Sequence, residues 1–455
     1  MTRAKWSGKI VIAWQRARSS LWFIPSLLVL FAVVLSTALL RIDAALGTSY
    51  ATSWWLFGGS AEGARTVLSV IAGSLITVVA VAFSVTMIAI QQASTQFTPR
   101  VLLNFTSDRS NQVVLGTYIA TFTYALLVLR RVRESTEGGS AFVPSIAIST
   151  GMLLALVSLG LLVYFIHHVS EVLQVSHLLT AIRRELDGQI RHLFPQALGR
   201  GEEEPASLEA MIAEGSGDSA GEEIVVRSDE EGHLRRIDAS ELSAAASQCV
   251  RFVRVEVQIG DYLREGDVLL RAWTGAPPRE GFEDRVRGAF QVARDRSIEQ
   301  DPLFGIRQLV DIGVKALSPG VNDPTTAEQA LNLLGGAMSF IIGRSMPSPV
   351  RVVDGGVRFL FRAPTFADYV DACFAQIRRA ARSELHVSLY LAGVLRSLLD
   401  RTTSESRAYH LRRQLEAIYA GYDLESLSDE ERGTLRRETW SGPLEMPAAE
   451  HAPAH

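Results

Sequence analysis

The chain has 455 residues, 47% of them hydrophobic, and its formal charge of −4 at pH 7 hides an uneven distribution. Residues 1–200 carry sixteen Lys and Arg against eight Asp and Glu, whereas residues 201–455 carry twenty-nine against forty-one. A basic, apolar half before an acidic half reads as a membrane part followed by a cytosolic part, and an acidic soluble domain argues against nucleic acid as a partner.

Residues 1–20 form an interfacial N-terminal segment, and residues 21–168 a transmembrane domain with spans at about 21–40, 66–90, 112–129 and 143–166. Leu21 to Leu40 is twenty residues without a charge, enough to cross a hydrocarbon core of about 30 Å. It is too long for the apolar part of a signal peptide and no A-x-A cleavage site follows, so it reads as a retained helix. Trp6, Trp14 and Trp22 near the first span and Trp54 and Trp55 before the second suit interfacial anchors. Arg3, Lys5, Lys9, Arg16 and Arg18 precede the first span, which places the N-terminus in the cytoplasm, and an even number of spans returns the C-terminus there. Arg130, Arg131 and Arg133 then lie on the far side, at the end of the third span, where their heads can snorkel to lipid headgroups.

The second span carries the most informative pattern. At 100° per residue, Thr66, Ser69, Gly73, Thr77, Ala80, Ser84, Gln91, Thr95 and Thr98 fall within an arc of about 80°. This stripe of small and polar residues supports either close helix packing with interhelical hydrogen bonds or the lining of a hydrated pathway. No Asp, Glu, Lys or Arg lies in the middle of a span, which argues against a proton- or sodium-coupled carrier. His167 and His168 at the end of the fourth span have no acidic or thiol neighbour in sequence to complete a metal site.

Residues 169–194 read as a helical stalk continuing the fourth span. Val172, Val175, Leu179, Ile182, Leu186, Ile190 and Leu193 recur at gaps of three and four. The seam can serve a coiled coil between subunits or pack on the soluble domain of its own chain. Residues 195–222 form an acidic linker. Residues 223–275 form a small β-rich module: Glu223–Ser228 and His233–Ile237 flank Asp229-Glu230-Glu231-Gly232 as a hairpin, Asp238 caps a short helix with Glu241 three residues on, and strands follow at Val250–Ile259 and Val268–Trp273. The run from Gly260 to Leu269 resembles the half-motif of lipoyl and biotinyl domains, but the nearest lysine is Lys315, so no attached cofactor is expected.

Residues 276–440 read as mainly helical, apart from a hairpin of Val350–Val353 and Val357–Phe361 around Asp354-Gly355-Gly356. Asp301, Asp311, Asn322 and Asp323 could offer oxygen ligands to Mg²⁺ or Ca²⁺. Asn322 or Asp323 also suits the cap of a helix starting at Pro324, after a turn at Ser318-Pro319-Gly320, and no metal is expected. Cys249 and Cys373 are two isolated thiols in apolar runs, which points to a reducing compartment and buried structural roles. Residues 441–455, rich in Pro and Ala, read as a disordered tail.

Ser84 to Pro99, ending Gln91-Gln92-Ala93-Ser94-Thr95-Gln96-Phe97-Thr98-Pro99-Arg100, and the run from Lys315 to Pro324 together resemble a family of predicted bacterial membrane proteins, domain of unknown function 2254. The resemblance spans about residues 10–430. It implies a bacterial inner-membrane location and assigns neither an activity nor site residues. No phosphate loop, HExxH, G-x-S-x-G or paired-Cys motif occurs, and His233, His386 and His410 lie in separate segments, so an enzyme is not expected. The fold class expected is a membrane α-helical domain of four transmembrane helices followed by a cytosolic α+β region with a small β-rich module and a helical C-terminal part. The chain is expected to partner the lipid bilayer and further copies of itself as a homo-oligomer, with the small-molecule or ion ligand left open. Two functions follow: a membrane-anchored sensor or scaffold with a cytosolic ligand- or partner-binding domain, or a channel-like pore lined by the second helix.

Overall fold

A computed structural model describes residues 22–46, 56–96, 109–133, 142–172, 175–194, 222–246, 250–274, 280–352 and 358–440. Two compact units divide the chain, residues 1–177 and 178–455.

The first unit contains four helices long and apolar enough to cross a membrane: α1 (Phe23–Leu46), α2 (Ala61–Gln96), α3 (Arg109–Leu129) and α4 (Ser145–Val172). Every predicted span has its helix, and α1 and α2 run several residues beyond the expected limits. In α1 the extension carries Asp43, whose carboxylate accepts hydrogen bonds from the backbone N–H groups of Ile146 and Ala147 at 3.1 and 2.9 Å. The first turn of α4 leaves amides with no partner inside its own helix, and a carboxylate from α1 satisfies two of them.

Helix α3 is the hub, in contact with all three other membrane helices. A Cβ placed on Gly116 of α3 would stand 2.9 Å from the Pro25 Cα, so a glycine is required where α1 crosses. Tyr118, Thr121, Tyr124, Ala125 and Val128 of α3 are buried. The Tyr124 hydroxyl donates to the Ala147 carbonyl at 2.8 Å, and the Ser158 hydroxyl donates to Thr121 at 3.3 Å. The outward surface is apolar instead, with Leu27, Leu30, Phe31, Leu153, Leu156, Val163 and Ile166 exposed. An apolar exterior around small and polar interior contacts suits a bundle in a hydrocarbon solvent.

The second unit starts with α5 (Val175–Leu193), followed by β1 (Glu222–Arg227), β2 (Gly232–Ile237), α6 (Ala239–Ala246), β3 (Val250–Val255), β4 (Tyr262–Leu263), β5 (Val268–Thr274), α7 (Phe282–Ala289) and β6 (Phe290–Ala293). Helices α8 (Pro302–Ala316) and α9 (Pro324–Ile341) come next, then β7 (Val350–Val352), β8 (Arg358–Leu360), α10 (Phe366–Ala380), α11 (Leu385–Leu399), α12 (Glu405–Tyr419) and α13 (Asp429–Thr439). One sheet has the order β1-β5-β3-β8-β7 and a second the order β4-β2-β6. Val226, Leu234, Val253, Leu270, Phe290 and Phe359 share one core between the sheets and helices α6 and α7.

The expected hairpin of residues 223–237 does not form. β1 pairs with β5, and β2 pairs with β4 and β6 in the other sheet. The reason lies at the end of β1. The Ser228 N–H donates to the Asp267 carbonyl and the Gly266 N–H donates to the Ser228 carbonyl, which ties the chain to the turn before β5. Gly232 then serves a close approach, at φ 146° with the Ala293 carbonyl oxygen 2.7 Å from where a Cβ would stand. The two strands of the later hairpin pair as expected: β7 and β8 are antiparallel, and β8 joins β3 in parallel, so Val350–Val352 and Arg358–Leu360 complete the first sheet, with the expected turn at Asp354-Gly355-Gly356 outside the described residues.

Helix starts follow the local chemistry. Asp238 accepts from the Ser240 and Glu241 amides at 3.0 and 3.1 Å. Asp301 caps α8 and Asp323 caps α9, each followed by a proline at the first helical position, the arrangement that satisfies an orphan amide and presets φ. Asn322 supplies the turn before α9 with φ 47°.

Candidate functional site

The stripe of the second span lies on α2, apart from Thr98, which is outside the described residues. Ser69, Gly73, Thr77, Ala80, Ser84 and Gln91 are all exposed on the single chain, while Ala64, Leu68, Ala72, Leu75 and Ala82 on the other side are buried. Thr95 is on the same helix, with its side chain outside the described residues. A Cβ on Gly73 would meet open space. The Thr77 and Ser84 hydroxyls donate to the carbonyls of Gly73 and Ala80 at 3.2 and 2.9 Å, the self-satisfied arrangement of hydroxyls in membrane helices. The contacts that hold α2 in its bundle therefore use the opposite face.

The seam residues Leu179, Ile182 and Leu186 of α5 are buried within one chain, together with Ile190 and Phe194. A Cβ on Gly305 of α8 would stand 3.2 Å from Leu186. Arg183 donates to the Leu333 carbonyl of α9, and Phe194 meets Tyr369 of α10 edge to face with ring centroids 5.7 Å apart. This face of α5 thus has its apolar partner in its own unit. Val172 and Val175 have side chains outside the described residues.

Asp301, Asp311 and Asp323 are engaged otherwise than with a metal: Asp301 and Asp323 as caps and Asp311 with Arg307 at 2.8 Å. Among the described residues no group of three His, Cys, Asp or Glu is placed to hold a metal ion. Cys373 is fully buried in α10, and burial pushes its thiol pKa up; Cys249 lies outside the described residues.

The strongest concentration of chemistry was not singled out by the sequence. A cleft of about 730 Å³ lies among α8, α10, α12 and the segment after β6, within the range of small-molecule sites. Five arginines line it, Arg296, Arg307, Arg378, Arg379 and Arg413, against a single carboxylate, Asp371. The periodicity of α10 explains the placement. Phe366, Tyr369, Val370, Cys373, Phe374 and Ile377 are buried on one face, so Asp371, Ala375, Arg378 and Arg379 fall on the flank toward α12.

Three of these cations are compensated. Arg296 donates through Nε to Asp301 at 3.0 Å, Arg307 pairs with Asp311, and Arg413 donates through Nη2 to both Asp371 oxygens at 2.6 Å. The buried Gln414 organises the centre: its amide donates to Asp371 at 2.6 Å and its carbonyl oxygen accepts from Arg378 Nε at 3.0 Å. Arg378 also donates to the Ala417 carbonyl near the end of α12, at 3.1 Å, and Arg379 to the Ala375 carbonyl, at 3.1 Å. Neither Arg378 nor Arg379 has a carboxylate within ion-pair distance among the described residues. Burial, then the guanidinium groups of Arg379 and Arg382, hold Arg378 below the ordinary arginine range, opposed by Asp371. Leu303, Ala372, Ala375 and Ala417 provide an apolar part of the wall.

Each arginine viewed alone resembles an ordinary surface charge, as the i,i+4 pair of Arg307 and Asp311 illustrates. The available signal was Arg378-Arg379 at the edge of an amphipathic helix, with Arg412-Arg413 in the next but one.

A family model described as "Predicted membrane protein (DUF2254)" matches residues 18–397. Uncharacterized proteins of Mycobacterium tuberculosis and Mycobacterium bovis are each 30% identical to the chain over 426 residues, which covers 92% of this chain and 79% of theirs. No solved structure matches the chain.

Proposed function

We propose that this chain, which belongs to the DUF2254 family of predicted membrane proteins, is a membrane-anchored sensor whose C-terminal unit binds a small anionic ligand. The four apolar helices are the anchor, and the inner membrane of a bacterium with both termini in the cytoplasm is the setting that the Lys and Arg distribution favours. One observation carries the reading: five arginines and one carboxylate line a single cleft, and two of the arginines lack a carboxylate partner. A protein gains nothing in stability by gathering like charges at the edge of its core. The same arrangement is favourable once an anion enters, because charge-assisted hydrogen bonds replace the repulsion.

The test is thermal unfolding of the full chain in phosphatidylcholine nanodiscs with phosphate, sulfate and citrate added in turn, at constant ionic strength. A ligand that binds only the folded state raises its midpoint with concentration. The sensor reading expects such a rise from at least one anion and its loss in Arg379→Ala. No rise from any anion would overturn it.

A second reading is a channel-like pore in a homo-oligomer, with α2 at its centre. It is favoured by the outward position of the stripe, since six of its residues have no packing role in the bundle of their own chain. Liposomes holding the protein would then conduct ions, and liposomes that remain silent across pH and osmotic steps would count against it.

A further inference from the structure

We infer that the cleft receives a small organic phosphate monoester, its phosphoryl group on Arg378, Arg379 and Arg413 and its organic part against Leu303, Ala372 and Ala375. The inference rests on the reading of this cleft as an anion site and names the chemistry of the anion.

Charge is the first argument. Arg296, Arg307 and Arg413 have carboxylate partners, which leaves two positive charges, on Arg378 and Arg379, in consecutive positions near the end of α10. A phosphate monoester carries about −1.5 to −2 near pH 7 and so matches this excess. A monocarboxylate leaves part of it uncompensated.

Donor geometry is the second. Arg379 uses only Nε, Arg378 uses Nε and Nη1, and Arg413 uses only Nη2, so terminal nitrogens of all three remain without a partner among the described residues. Planar guanidinium forks match the oxygens of a tetrahedral phosphoryl group, which offers three acceptors at one point. Two carboxylates on a flexible acid would instead need two separated cationic sites.

Size and polarity are the third. A cleft of about 730 Å³ is far larger than one phosphoryl group requires, and its remaining wall includes leucine and alanine side chains. A polar end beside an apolar end fits a phosphorylated organic molecule. Asp371 and Gln414 fix the site before a ligand arrives, since both are hydrogen-bonded to the arginines and to each other, and preorganised donors lose less entropy on binding.

The experiment is isothermal titration calorimetry on the full chain in phosphatidylcholine nanodiscs. The probes are inorganic phosphate, glycerol 3-phosphate, adenosine monophosphate, adenosine and citrate. A further arm uses phosphatidylcholine vesicles with and without phosphatidic acid, whose headgroup is itself a phosphate monoester. We expect at least one phosphate monoester to bind about tenfold or more tightly than adenosine or citrate, the worth of one charge-assisted hydrogen bond. Arg379→Ala should remove most of that advantage. This variant disturbs only a contact within α10, so it separates lost binding from lost folding better than Arg378→Ala, which also breaks the links to Gln414 and Ala417. Binding to phosphatidic acid vesicles alone would keep the chemistry and make a lipid its source. Citrate binding with no phosphate binding would overturn the phosphate inference and leave the anion sensor standing. No anion binding at all would overturn both, and phosphate binding unchanged in Arg379→Ala and Arg413→Ala would overturn the placement in this cleft.

Discussion

The two units of the chain treat polar groups in opposite ways. Among the described residues of the first unit the large side chains on the outward surface are mainly leucine, valine, isoleucine and phenylalanine, while Asp43, Thr121 and Ser158 are turned inward and the Thr77 and Ser84 hydroxyls bond to their own helix. Among the described residues of the second unit most large apolar side chains are inside, and charged groups line an open cleft with two arginines that have no carboxylate partner. The difference teaches how solvent sets the cost of an unpaired group. In hydrocarbon the backbone donors must find a protein partner, whereas at a watery cleft an arginine can wait for its anion at small cost. A basic site in an acidic half is no contradiction, since screening confines the field of surrounding charges to about 8 Å at physiological ionic strength.

The comparison breaks most severely where a charge is placed in the wrong medium. Ile182 of α5 is 1% exposed, and Ile182→Asp buries a carboxylate with no partner. We expect a loss of about 3–5 kcal/mol, read as a much lower unfolding midpoint of the C-terminal unit. Retained folding with a smaller particle mass in detergent would assign this face of α5 to contacts between subunits instead.

The next largest effect belongs to the membrane unit. Asp43→Ala strips a carboxylate from two amides at the start of α4, and orphaned buried donors cost about 1–3 kcal/mol. The expected result is a lower unfolding midpoint in detergent and no change in the anion response of the C-terminal unit. An unchanged midpoint would remove Asp43 from the forces that hold α4.

The smallest effect is expected on the stripe. Thr77→Leu and Ser84→Leu enlarge side chains that face outward from a single chain, so within about 0.5 kcal/mol stability should not move. That near-silence sharpens the comparison, because three environments differ in what else changes. Lipid contact leaves mass and flux unaltered, a subunit interface alters the mass, and a pore alters ion flux in liposomes. The pore reading expects changed flux at normal stability.

Much of the fold was legible because its signals are local. Four uncharged runs became four helices, Asp323-Pro324 became a cap, and Val350–Val352 and Arg358–Leu360 became an antiparallel pair, since each depends on neighbours in sequence. The hairpin expected at residues 223–237 failed for the complementary reason. The turn signal at Asp229–Gly232 was local, but β1 is claimed by β5, some forty residues on, through Ser228 and its bonds to the next turn. On α2 the pattern specified an arc and could not specify which way the arc faces; that depends on where α3 and α4 sit. The cleft was the least legible feature, because Arg296, Arg307, Arg378 and Arg413 come from four segments and meet only through the packing of α8, α10 and α12.

The central claim is that an anion belongs in this cleft, and hydrogen–deuterium exchange of the full chain in nanodiscs, with and without glycerol 3-phosphate or adenosine monophosphate, tests it most directly. An anion in the cleft slows exchange in the last turns of α10 and α12, around Arg378, Arg379 and Ala417, leaves the four apolar helices unchanged, and loses this effect in Arg379→Ala. Exchange left unchanged by glycerol 3-phosphate and by adenosine monophosphate alike, or protection that persists in Arg379→Ala, would contradict it.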